Sequence, residues 1–191
     1  MTRTRLEAFS DAVIAIIMTI MVLELKAPHG VDWRALGPVM PAFLTYVLSF
    51  IFLGVYWNNH HHLLHATERI NGRILWANLH LLFWLSLVPF ATAWMGDSHA
   101  ATWPTAVYGL VQLLAGVAYV GLQNAIVAHH GTRSRLAEAI GGDAKGKLSM
   151  AAYFAAVPLA FVHPWISIAL WVAVLLMWLV PDRRIESRLG H

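Results

Sequence analysis

The sequence has 191 residues, of which 59% are hydrophobic and only 12% charged, with nine Trp, no cysteine and a mean hydropathy of +0.61. Soluble domains carry roughly 25% charged residues, so this composition excludes an ordinary soluble enzyme, and its apolar and aromatic content excludes a disordered chain. The lack of cysteine removes any disulfide framework or thiolate metal site, and the net charge of +3 has to be read by position.

A bilayer-spanning helix takes about 20 apolar residues, so the length admits one transmembrane domain of six spans. The first apolar run, Ala12 to Leu23, extends back through Ala8, Phe9, Ser10 and the ionisable Asp11. Arg3 and Arg5 before it suggest a signal peptide, but Glu7 and Asp11 inside it, and no small-residue cleavage site near Glu24-Leu25-Lys26, argue that it stays in the mature chain. The second run, Val39 to Trp57, is free of charge, with Pro38 and Pro41 where a helix start tolerates them. The third, Ile74 to Met95, carries Asn78, His80 and a Pro89 that should kink it. The fourth, Trp103 to Ala128, holds Gly109, Gly116 and Gly121, which offer small surfaces for close helix approach.

From Leu148 to Pro181 no residue is charged. As one helix that stretch would be about 51 Å long, too long for a core of about 30 Å, whereas two helices turning at His163-Pro164 fit. The expected spans are therefore about 8–25, 39–59, 74–95, 103–128, 148–162 and 164–181. With six spans, every Lys and Arg except Lys26 and Arg34 falls on one side, which places both termini in the cytoplasm. The basic balance is thus a topology signal, and nucleic acid is not an expected partner. Gly141-Gly142-Asp143 marks a cytoplasmic loop containing Arg133, Arg135, Lys145 and Lys147.

Ionisable groups inside a span are functional candidates, because an unpaired one costs at least about 2.5–3.5 kcal/mol. Asp11 is the clearest case. Topology places Trp57, His60, His61, His62, Asn78 and His80 at its depth, and a buried polar network with Ser10 is expected there. His61 and His65, four apart, invite a metal reading, but adjacent histidines fan around a helix and the one nearby carboxylate is Glu68, three beyond His65; interfacial anchoring or a pH-sensitive contact suits them better. No GxSxG, HExxH or P-loop is present.

Arg5-Leu6-Glu7-Ala8-Phe9-Ser10-Asp11 resembles the RxxxFSD signature of the transmembrane protein 175 family of potassium channels, and the likeness continues through Lys26, Trp57 and the stretch Asn78 to Thr92. The resemblance implies an all-α, potassium-selective passive channel in a prokaryotic plasma membrane. It implies a homotetramer whose first helix lines a central pore, with no cofactor, potassium ions as the permeant species, and other copies and the bilayer as partners. It further implies that Ile16 is a bulky apolar constriction, continued by Ile20 and Leu23, and that Thr19 is a pore-lining polar group. At 100° per residue Ile16, Ile20 and Leu23 share one stripe with Thr19 beside it, while Asp11 lies about 140° away, facing the helix packing. Arg5, Phe9, Ser10 and Asp11 are then expected to link helices or subunits, with Trp57, His61, Asn78 and His80 as partners. Two other classes remain open on the same residues: a metal-dependent intramembrane enzyme or metal-binding protein using the His tract, and a proton-coupled transporter using Asp11.

Overall fold

The computed structural model describes residues 2–65, 67, 69–130 and 144–179. Arg133, Arg135, Gly141-Gly142-Asp143, Pro181 and the C-terminal Arg183, Arg184 and Arg188 lie outside the described residues, so the charge reading at those positions has no structural counterpart here. The described chain is all-α. Helix α1 (Arg3–Leu23) leads through a 3-10 segment (Trp33–Val39) into α2 (Met40–His65); α3 (Gly72–Ser86) and α4 (Val88–Asp97) follow, then α5 (Thr102–His130), α6 (Ala144–Leu159) and α7 (Pro164–Leu179). Among the described residues, four segments are long and apolar enough to cross a membrane: α1, the 3-10 segment with α2, α3 with α4, and α5. The two 16-residue helices α6 and α7 form a hairpin.

Local chemistry sets the boundaries. The Asp32 carboxylate accepts from the Ala35 amide at 3.2 Å and opens the 3-10 segment, and the Asn71 side chain accepts from the Ile74 amide at 2.9 Å to start α3. Pro89 is the second residue of α4. It has no N–H to donate and its ring crowds the preceding turn, so the third apolar run divides at Leu87. His163 donates its amide to the Leu159 carbonyl at 2.9 Å, Pro164 begins α7, and the Ser167 hydroxyl donates to the Ala156 carbonyl at 2.6 Å across the hairpin.

Three boundaries differ by four residues or more from the sequence expectation; one is the start of α6 at Ala144, which makes Lys145 and Lys147, expected in the loop, helical. Helix α1 begins at Arg3 instead of near Ala8, and α2 runs on to His65, so the histidine tract is helical. For α1 and α2, Arg3 and Glu7 meet His65 and His61 across the two extra segments, and this lets both helices continue past their apolar runs.

Helix α5 packs on α3, α4 and α6, whereas α1 lies against α2, α3 and α4 at one edge of the bundle. In its most apolar stretch only 28% of α1 is buried, against 56% for α5. One whole face of α1 is therefore left without a partner inside the chain.

Close approaches occur where glycine allows them. A Cβ at Gly96 would stand 2.7 Å from the Ala42 Cα, and one at Gly109 would stand 2.7 Å from Trp171 Cζ2; Gly116 meets Met150 Sδ in the same way, at 2.8 Å. Gly121, expected to belong to this set, has nothing within 4 Å, because five residues from Gly116 it faces another side of α5. Gly96→Ala is expected to destabilise by about 1–3 kcal/mol, since the obstacle is backbone. Gly121→Ala should be neutral or stabilising by up to about 1 kcal/mol. Thermal unfolding of the two purified variants in detergent distinguishes them, and equal melting temperatures would refute the packing assignment.

Candidate pore helix and its anchoring contacts

Helix α1 has two unlike faces. Leu6, Ser10, Ile14, Ile17 and Met21, spaced three or four apart, are buried and turn toward α2, α3 and α4. On this face Ser10, Asn78 and His60, one from each of α1, α3 and α2, have no exposed surface at all. The Asn78 Nδ2 donates to Ser10 Oγ at 2.9 Å, and Ser10 Oγ donates to the Leu6 carbonyl at 2.9 Å. The Asn78 amide nitrogen is thereby committed, so its Oδ1 accepts from His60 Nε2 at 2.7 Å, which fixes that imidazole as the Nε2–H tautomer. Three helices are pinned by side-chain bonds that bulk water does not reach.

A second column of contacts runs alongside. Arg3 Nη1 donates to the His65 carbonyl at 3.0 Å, His61 Nδ1 lies 3.0 Å from Glu7 Oε1, and Trp57 Nε1 donates to Asp11 Oδ1 at 3.0 Å. Residues four apart on α1 thus meet residues four apart on the antiparallel α2. The rings on α2 stack in the same register, with Trp57 and His61 centroids 6.0 Å apart and His61 and His65 6.0 Å apart at 5°.

Several expected partners sit elsewhere. His80 is exposed and accepts from Trp84 Nε1 at 2.9 Å; two residues beyond Asn78 on a helix, it points about 200° away and stays out of the network. His61 engages Glu7 and makes no bond to Ser10 or Asn78. The histidine that closes the buried network is His60. Arg5 is exposed with no hydrogen bond to any described residue, and the link expected of it is made by Arg3, on another side of α1. Phe9 is also exposed. The His tract does not converge: His60 is spent on Asn78, His61 on Glu7, and His62 meets His61 edge-on at 5.7 Å. Among the described residues no three His, Asp or Glu are placed to share a metal ion. The Arg3, Glu7, Asp11 register was not recognised in the sequence, although its fourfold spacing is visible there and mirrors Trp57, His61 and His65.

The other face of α1 is bare. Ile16 is 56% exposed, Ile20 42% and Leu23 79%, and Thr19 is exposed between them. The Thr19 hydroxyl is shared between the carbonyls of Ile16 at 2.9 Å and Ala15 at 3.0 Å, so its hydrogen is committed to the helix and the oxygen lone pairs remain open. Beside the stripe a groove of about 480 Å³ runs between α1 and α4, lined by Ile16, Ile20, Pro89 and Phe90, with Glu24 at its rim. Past Leu23, Lys26 Nζ pairs with Asp97 Oδ2 at 3.0 Å, an exposed contact worth about 0–1 kcal/mol.

The family model described as the endosomal/lysosomal potassium channel TMEM175 matches residues 5–89. A protein named a potassium channel from Chryseobacterium sp. (strain P1-3) is 52% identical over 99% of this chain and 98% of its own length. A second, from Chamaesiphon minutus, is 30% identical over 86% of this chain and 87% of its own. The crystal structure of a lysosomal potassium-selective channel TMEM175 homolog from Chamaesiphon minutus superimposes with a TM-score of 0.80 at 25% identity, covering 93% of this chain and 96% of that one.

Breaking the buried network strands polar atoms that water cannot reach. Asn78→Ala leaves both the His60 Nε2–H and Ser10 Oγ short of a partner, and is expected to cost about 1–3 kcal/mol. His80→Ala should change stability by no more than about 0.5 kcal/mol. Denaturation of the two variants in parallel provides the comparison, and equal losses would remove Asn78 from its anchoring role.

Proposed function

The chain belongs to the TMEM175 family, and on that premise we propose that it is a potassium-selective channel in which several copies surround an axis and turn the bare face of α1 toward it. The chain is a passive conductor rather than an enzyme. The observation that carries the reading is the split character of α1: every inward position is buried against its own protomer, while Ile16, Thr19, Ile20 and Leu23 lie exposed along one side. One helix cannot enclose a path, so the copies form a closed ring, which we take to be a homotetramer. The chain forms a single domain that crosses the membrane six times with both termini in the cytoplasm, and its setting is a prokaryotic plasma membrane.

In this arrangement Ile16, Ile20 and Leu23 make successive aliphatic rings. Such rings offer no dipole to a bare ion, so they hold an ion back by expelling water, and conduction requires that they widen enough to hydrate. Thr19 supplies the polar group between them. Its lone pairs are free because its hydrogen is bonded to the helix backbone, so a ring of Thr19 oxygens can face a cation as acceptors. Asp11 takes no direct part in the path, since its carboxylate is held by Trp57 against α2. With Arg3, Glu7, Ser10 and Asn78 it keeps the helix at a fixed rotation, so that the aliphatic edge and not the polar one meets the axis.

The natural lack of cysteine makes this directly testable. Single cysteines at Ile16, Ile20 and Leu23 are expected to react with a water-soluble cationic thiol reagent and to lose potassium flux in liposomes, whereas cysteines at Ile14 and Ile17 should stay unreactive. Ile16→Asn should raise flux or relax discrimination against sodium, because an amide wets the constriction. Reactivity at Ile14 or Ile17 in place of the stripe, or no flux under any potassium gradient, would overturn the reading.

A further inference from the structure

Helices α2, α5, α6 and α7 enclose a second cavity of about 70 Å³ to which α1 contributes nothing. One water needs about 10–15 Å³ on this scale, so the space holds several waters or one small organic molecule. Gly116 lies on its wall, in close contact with the opposite side: a Cβ there would stand 2.8 Å from Met150 Sδ and 3.6 Å from the Tyr56 hydroxyl. Phe52, Tyr56 and Tyr153 form an aromatic wall, with the Phe52 centroid 4.9 Å from that of Tyr56 and 6.1 Å from that of Tyr153.

The polar groups on this wall divide into two sets. Trp178 Nε1 donates to Ser149 Oγ at 2.9 Å, and the Tyr119 hydroxyl donates to the Asn59 carbonyl at 3.2 Å, so these are engaged. The Tyr56 and Tyr153 hydroxyls and the Gln123 amide hydrogen-bond to no described group, yet none of them is among the side-chain atoms sealed away without a partner. Tyr153 as a residue is 5% exposed, so the opening its hydroxyl keeps is the cavity itself. Among the described residues, no Asp, Glu, Lys, Arg or His lines the space.

We propose that this cavity binds a small neutral amphiphile with one hydroxyl on a short or flat apolar body, of the alcohol or phenol class. A charged ligand would be stripped of water with no counter-charge in the wall. A purely apolar one would leave two phenols and an amide unpaired among helices that offer them no other bonds. A single hydroxyl can accept from one tyrosine and donate to the other while its body lies against Phe52 and Met150. The site shares no residue with the α1 stripe, so its occupancy is measured independently of conduction.

The test is 19F NMR titration of the full chain in nanodiscs with 4-fluorophenol, using fluorobenzene and 4-fluorobenzoate for comparison. Saturable binding of 4-fluorophenol about three- to tenfold tighter than fluorobenzene is expected, with no saturable binding of the benzoate. Tyr153→Phe, which keeps the ring and the packing, should erase the preference for the phenol. Gly116→Ala should weaken both neutral probes by displacing Met150, which shares the wall. Equal affinities for 4-fluorophenol and fluorobenzene, or titrations of Tyr153→Phe that match the parent, would overturn the proposal and leave a cavity filled by water or by lipid chain. Should Gly116→Ala fail to fold, Tyr153→Phe alone decides.

Discussion

In lipid, a polar group that loses its partner has no water to fall back on, and this constraint gives the Ser10–Asn78–His60 chain its weight. Apolar side chains alone would not fix the rotation of α1, because the lipid beside it is as apolar as the helices behind it. A leucine stripe can slide or roll against such neighbours at little cost. A serine hydroxyl bonded to an asparagine, itself bonded to a histidine, cannot do so without stranding three buried groups. The outer column of Arg3, Glu7 and Asp11 repeats the constraint at the edge, where each contact is weaker but the spacing permits only one register.

This fixed rotation converts sequence into function. Ile14 and Ile17 are as apolar as Ile16 and Ile20, and composition cannot say which pair meets neighbours in the same protomer. The polar anchor decides it: once Ser10 points toward Asn78, the 3.6-residue period commits Ile14, Ile17 and Met21 to the interior and leaves Ile16, Thr19, Ile20 and Leu23 outside. The residues that resemble a channel signature and the residues that face the open side are therefore different sets on one helix, the first orienting the second.

Much of this was legible in the chain itself. Charge-free runs gave the apolar helices, Pro89 gave the break in the third, and His163-Pro164 gave the turn of the last hairpin. The extent of α1 and α2 was not legible, because Arg3, Glu7 and the histidines look like loop until their partners on the facing helix are known. The choice among neighbouring polar residues was equally hidden. Asn78 and His80, or His60 and His61, stand at nearly the same depth, and only helix rotation separates the buried member from the exposed one. The phenols near Gly116 gave no sign at all, since tyrosines on three different helices look like ordinary packing until the helices are placed together.

The division of the third apolar run at Leu87 gives α1 two unequal supports. Its N-terminal half is bonded to α3 through Asn78, while its C-terminal half leans on α4 through side chains that make no polar bond, with one surface ion pair beyond them at Lys26 and Asp97. The helix is thus clamped at its root and loose at its tip, like a reed. Turning the root would strand polar groups, whereas turning the tip would exchange one set of apolar contacts for another.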